Sequence, residues 1–134
     1  MSLKKDLIRH EGHRNHLYED TEGVMSIGVG YNIDERGLPD HIIDMLLDET
    51  IEESRKELDR VFPARVLLSP NRQDVLVNMI FNMGGPSFLG FRRMIAALKA
   101  FDYDTAAHEM LESRWADQVG ARALELSERM RNDS

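Results

Sequence analysis

The feature that most restricts the fold is a change of period. Residues 16–31, HLYEDTEGVMSIGVGY, carry three glycines and alternate in twos, whereas most of the chain repeats at helical spacing. Asp20-Thr21-Glu22-Gly23 reads as a turn. Beyond it Val24, Ser26 and Gly28 share one strand face, with Met25, Ile27 and Val29 on the other. The segment predicts a hairpin or three-stranded sheet, too small to stand alone. It must therefore be supported by helices.

Those helices are legible on both sides. Residues 3–11 form a short one, with Ser2 as N-cap and Gly12 as its end. Residues 32–38 read as a loop. From Pro39 to Val61 the apolar positions Ile42, Ile43, Leu46, Leu47, Ile51, Leu58 and Val61 keep helical spacing. That helix is roughly 23 residues, or about 34 Å, long. Its polar second half, EESRKELDR, fits a connector between two lobes, with i,i+4 charge pairs on a solvated face. Ser69-Pro70 opens the most apolar helix, 70–83, and Gly84-Gly85-Pro86 breaks it. Helices near 90–100 and 104–112 follow, then a short turn and a terminal helix from Gly120. Residues 131–134 are expected to fray.

The fold class is therefore α+β, mostly α. A small β-containing lobe (13–60) and a helical lobe (1–12 plus 61–134) form one domain over 1–134, with a cleft between them. At 134 residues and 42% hydrophobic content the chain can bury a real core. There is no cysteine, so neither a disulfide framework nor thiolate chemistry is available. The net charge of −7 argues against nucleic acid as the partner. The N-terminus lacks an apolar signal region, and no run approaches the ~18 apolar residues of a membrane span. Synthesis in a cytoplasm is the expectation.

Glu11 closes the first helix, Asp20 sits in the turn and Ser26 lies on the next strand, so three elements can converge. Two carboxyls across a cleft suit glycoside hydrolysis: one protonated to donate to the leaving oxygen, one ionised to activate water. With 24 acidic residues in the chain, solvated surface charge remains the other reading on spacing alone.

Glu11-Gly12, Arg14, Tyr18, Asp20-Thr21, Gly23, Ser26-Ile27-Gly28 and Gly30 together resemble the active-site segment of the T-even phage lysozyme family, glycoside hydrolase family 24. Asn78-Met79-Ile80-Phe81-Asn82-Met83-Gly84 with Gly90-Phe91 resembles the family's central helix. Ser113-Arg114-Trp115, Gln118 and Arg122 resemble its C-terminal block. The resemblance covers nearly the whole chain in order.

It implies that Glu11 is the general acid, Asp20 the carboxylate that positions water, and Ser26 a hydroxyl holding that water where the family usually has Thr. It implies an inverting β-1,4 N-acetylmuramidase acting on peptidoglycan as a phage or prophage endolysin, without cofactor or metal. Arg122 matches the arginine that supports the acid. Tyr18, Asn32, Phe81, Met94 and Glu109 fall at substrate-contacting positions. Tyr18 reads most simply as a half-buried strand aromatic, Phe81 equally as core, Trp115 as a core anchor rather than a sugar-stacking platform, and Asn78 as a hydrogen-bond partner of buried backbone. Tyr31 replaces the family's usual His, and Asn32, Met94 and Glu109 change the character of their positions, so subsite preferences do not transfer. The acidic charge also departs from the basic T-even enzyme, which weakens ionic attraction to an anionic wall.

The family habit implies a monomer released by a holin-type membrane lesion, acting on the wall or periplasm after permeabilisation. Other readings are a lytic transglycosylase, another β-glycan hydrolase, or an inactive wall-binding module. Gly28-Val29-Gly30 lacks the third glycine and the βαβ context of a dinucleotide site. The 32–43 segment fails as a calcium loop because Arg36 and Ile43 replace ligands. His10, His13 and His16 read as solvated.

Overall fold

The computed structural model describes residues 2–134, which divide into two compact units, one up to Leu46 and one spanning Leu47–Ser134. The chain is mostly helical with one two-stranded antiparallel sheet, the α+β class expected.

The first unit opens with α1 (Leu3–Glu11). Ser2 caps it, its side chain accepting from the Lys5 N–H at 3.1 Å. Gly12 ends it at φ +83°, a backbone that L side chains resist. Strands β1 (Arg14–Glu19) and β2 (Met25–Gly28) follow. Tyr18 pairs with Ser26 and Glu19 with Met25, and an irregularity shifts the register between Tyr18 and Arg14.

The expected alternation through Val29 is cut short. Ile27 and Tyr31 exchange backbone hydrogen bonds at 2.9 and 3.0 Å, turning the chain back across Gly28 and Gly30. Both glycines take positive φ, +69° and +66°, which explains the G-x-G spacing. The expected loop 32–38 contains a one-turn helix, α2 (Ile33–Arg36), because the Asn32 Oδ1 caps it from the Glu35 N–H at 3.0 Å.

Helix α3 (Asp40–Val61) runs into the second unit and gives way to a 3₁₀ turn over Pro63–Leu67. Then come α4 (Pro70–Met83), α5 (Gly85–Leu89), α6 (Arg92–Lys99), α7 (Tyr103–Leu111), α8 (Arg114–Val119) and α9 (Ala121–Asn132). Two short helices, α5 and α8, stand where a break and a turn were expected. Glycine and Ser113 punctuate them, since the Ser113 Oγ accepts from the Ala116 N–H and starts α8 at once.

The apolar core lies in this unit. Leu76, Met79, Phe88, Met94, Met110 and Met130 are all 0% exposed. Burial of each such side chain contributes roughly 1.5–3 kcal/mol. Four of the six are methionines, whose flexible chains fill irregular gaps between short helices. Trp115 anchors the core as expected. It packs edge-on against Phe91, and its Nε1 donates to the Asn82 Oδ1 at 2.8 Å.

The chain end is held rather than frayed. The Arg72 Nε donates to the Met130 carbonyl at 2.7 Å, and the Asn71 side chain donates to the Asp133 carbonyl at 3.0 Å. Arg72 also lies over the Tyr103 ring at 3.5 Å. These partners are about 60 residues apart in sequence, so no local signal announces them.

Candidate active site

In the first unit the carboxyl of Glu11 ends α1, where the helix stops at Gly12. The turn back from β2 brings Gly30 against it. A Cβ built on Gly30 would stand 2.8 Å from the Glu11 Oε2 and 3.0 Å from its Cδ. Only glycine leaves room for the Glu11 carboxyl, and only glycine accepts the +66° backbone there without strain. Sequence reading placed Gly30 in a motif but missed this contact.

Asp20 is fixed by its own turn. Its Oδ1 accepts from the Glu22 N–H at 2.8 Å and the Val24 N–H at 2.9 Å, while its backbone bonds Val24 and Gly23. An Asx turn of this kind holds the carboxylate in one orientation. Both amide bonds go to the same oxygen, Oδ1. Ser26 is 3% exposed, on β2 opposite Tyr18. Tyr18 is half-buried, with the Arg14 guanidinium 4.5 Å from its ring centre. Asn32 spends its Oδ1 as the α2 cap, so that oxygen serves the fold rather than a ligand.

The remaining candidates belong to the second unit. Phe81 is 41% exposed, so the reading of it as core is corrected. It lines a cavity of about 300 Å³ with Leu47, Ile51, Val77, Asn78 and Arg122. Arg55 and Asp74, also at this cavity, pair with each other at 3.6 Å. Arg122 stands in the first turn of α9, clamped by Asn78. The Asn78 Oδ1 accepts from the Arg122 Nε at 2.9 Å and Nη2 at 2.6 Å, and the Asn78 carbonyl accepts from Nη2 at 3.3 Å. Asn78 thus accepts from a side chain 44 residues away, where a hydrogen bond with buried backbone was expected.

Met94 and Glu109 border a second cavity, of about 490 Å³, together with Arg92, Arg93 and Glu112. Glu109 is half-buried. Met94 is completely buried, because α6 turns this position into the core. It is therefore the floor of that cavity rather than an exposed contact.

Residues 8–133 match the family described as phage lysozyme. The chain is 29% identical to the pre-baseplate central spike protein Gp5 of Enterobacteria phage T4, over 92% of this chain and 26% of that protein. It spans about a quarter of the spike protein's length. It is 24% identical to probable T4-type lysozyme 2 of Dictyostelium discoideum, over 92% of this chain and 90% of that protein. It is 30% identical to the endolysin of Salmonella phage P22, over 78% of this chain and 75% of that protein.

Proposed function

We propose a mechanism from one premise: the chain belongs to the phage lysozyme family and is a glycoside hydrolase directed at peptidoglycan. The bond cleaved is the β-1,4 link from N-acetylmuramic acid to N-acetylglucosamine. Glu11, protonated, gives its proton to the glycosidic oxygen as the C–O bond breaks. A water held by Asp20 and the Ser26 hydroxyl attacks the anomeric carbon from the opposite face. Asp20 takes the proton that this water loses. The sugar leaves as a hemiacetal of inverted configuration, and solvent returns the two carboxyls to their starting states.

The single observation that carries this reading is the fixing of Asp20. Its two amide bonds hold one oxygen and leave the other for water. An inverting pair needs carboxyls about 6.5–9.5 Å apart, room enough for that water. Ser26 supplies a hydroxyl that can both donate and accept, without the methyl by which threonine restricts its rotamer. Arg122 supports the acid as a fixed cation. Tyr18, Asn32, Phe81 and Glu109 contact the glycan or its stem, and Met94 shapes the floor beneath Glu109.

The enzyme acts as a monomeric endolysin, made in the host cytoplasm and released by a holin-type lesion. Among the described residues no helix is long and apolar enough to cross a membrane. Glu11→Gln removes the transferable proton with little change of shape. It is expected to abolish clearing of permeabilised bacterial suspensions while leaving the melting transition in place. Normal clearing by that variant would remove Glu11 from the acid's role.

A further inference from the structure

We propose that the second unit binds the peptide stem of peptidoglycan at the cavity bordered by Arg92, Arg93, Glu109 and Glu112, taking a stem residue whose side chain ends in both an ammonium and a carboxylate. The inference rests on reading the chain as a peptidoglycan hydrolase and names the part of that polymer this cavity recognises. The cavity, of about 490 Å³, is lined by residues of the second unit alone. Volumes of roughly 300–1,000 Å³ are usual for small-ligand sites. Arg92 and Arg93 open α6, which has no acidic residue in its first turn. Glu109 stands in the last turn of α7, and Glu112 is its C-cap. Each sign thus sits at the helix end where the dipole disfavours it. The helices gain nothing from this placement.

The four charges also stay apart from one another. Among the described residues, the side chains of Arg92, Arg93 and Glu109 make no ion pair or hydrogen bond, and Glu112 meets only His108, at 3.9 Å. Opposite charges that border one cavity without pairing suit a ligand that bridges them. A simple anion would meet the two glutamates, and a simple cation the two arginines. A neutral sugar calls for neither pair. A ligand with both signs gains on both sides: its carboxylate accepts from the guanidinium N–H groups, and its ammonium donates to the carboxylates. Met94 is completely buried and Phe91 half-buried, and they give the methylenes between the charged ends an apolar floor. In peptidoglycan such paired ends belong to the stem peptide, at a diamino dicarboxylic acid, and not to the sugars.

The test is calorimetric titration of the full chain with two free stem peptides, L-alanyl-γ-D-glutamyl-meso-diaminopimelate and the same peptide ending in L-lysine. Both carry the side-chain ammonium, and only the first has a carboxylate beside it. Neither has a glycosidic bond, so no turnover intrudes. Wild type is expected to bind the diaminopimelate peptide roughly ten- to hundredfold tighter, as for a gain of charged hydrogen bonds. The double variant Arg92→Gln, Arg93→Gln is expected to bind both peptides alike. Glu109→Gln is expected to weaken both by similar factors, since the ammonium is common to them. Both arginines are exposed and Glu109 is half-buried, and melting curves check the fold of each variant. Equal affinity of wild type for the two peptides, a preference that survives loss of both arginines, or no binding of either at millimolar concentration would overturn the proposal. Clearing of permeabilised suspensions by the same wild-type preparation keeps the two readings apart. Clearing without peptide binding strikes this inference alone, whereas the expected binding without clearing upholds it and strikes the proposed mechanism.

Discussion

Replacing Gly30 with alanine intrudes directly on the carboxyl of Glu11, the proposed acid. The new methyl would lie 2.8 Å from the Glu11 Oε2, 3.0 Å from Cδ and 3.2 Å from Cγ. Carbon contacts settle near 3.5–4.0 Å, so the carboxyl must retreat by roughly 0.5–1 Å. A reacting group misplaced by about 1 Å loses on the order of a hundredfold in rate. The φ of +66° adds backbone strain of about 1–2 kcal/mol, worth several degrees of melting temperature in a domain of this size. Gly37 separates the two effects. Its φ is +62°, yet a Cβ there meets nothing within 4 Å. Gly37→Ala is expected to melt lower and hydrolyse normally, whereas Gly30→Ala melts lower and loses roughly ten- to a hundredfold in turnover. Initial rates on solubilised peptidoglycan, with melting curves, read both. Equal turnover in the two variants would refute the claim that Gly30 makes room for the acid.

Ser26→Ala is expected to lower turnover about a hundredfold with the fold retained, since water placement loses its hydroxyl; Ser26→Thr should match or exceed wild type in the same rate assay. Met94→Ala is expected to cost about 2–5 kcal/mol in chemical unfolding because it empties a fully buried site. Removing residues 131–134 strips partners from Asn71 and Arg72 and is expected to lower the melting temperature, where a frayed tail would not. Asp102 caps α7, and hydrogen bonds from the Thr105 side chain and then its backbone hold its carboxyl below the usual range. A depressed folded pKa stabilises above the unfolded value, and that contribution is lost as pH falls through the folded one. The melting-temperature gap between wild type and Asp102→Ala should therefore shrink below about pH 4.

The helices were readable because their caps are local. Ser2, Ser69 and Gly12 each act within a few residues, and the structure uses all three. The short helices α2 and α5 were not, because a single turn shows no apolar period. The end of β2 was misjudged for a related reason. Val29 continues the alternation in sequence, but two positive-φ glycines turn the chain around it. That Asp20 lies in a turn and Ser26 on a strand was legible from the residues around them. The Asx turn around Asp20 follows from its own neighbours. Gly30 against Glu11 and Asn78 on Arg122 join separate elements, and no local pattern encodes such meetings. The Arg72 clamp on the chain end escaped notice for the same reason.

The division of labour between Glu11 and Asp20 is tested most directly by the anomeric configuration of freshly released sugar ends. Proton NMR during the first minutes of hydrolysis, before mutarotation, reads it. Water attack guided by Asp20 predicts that the α-anomer appears first. A β-anomer appearing first, or an anhydro end with no new hemiacetal, would contradict the mechanism.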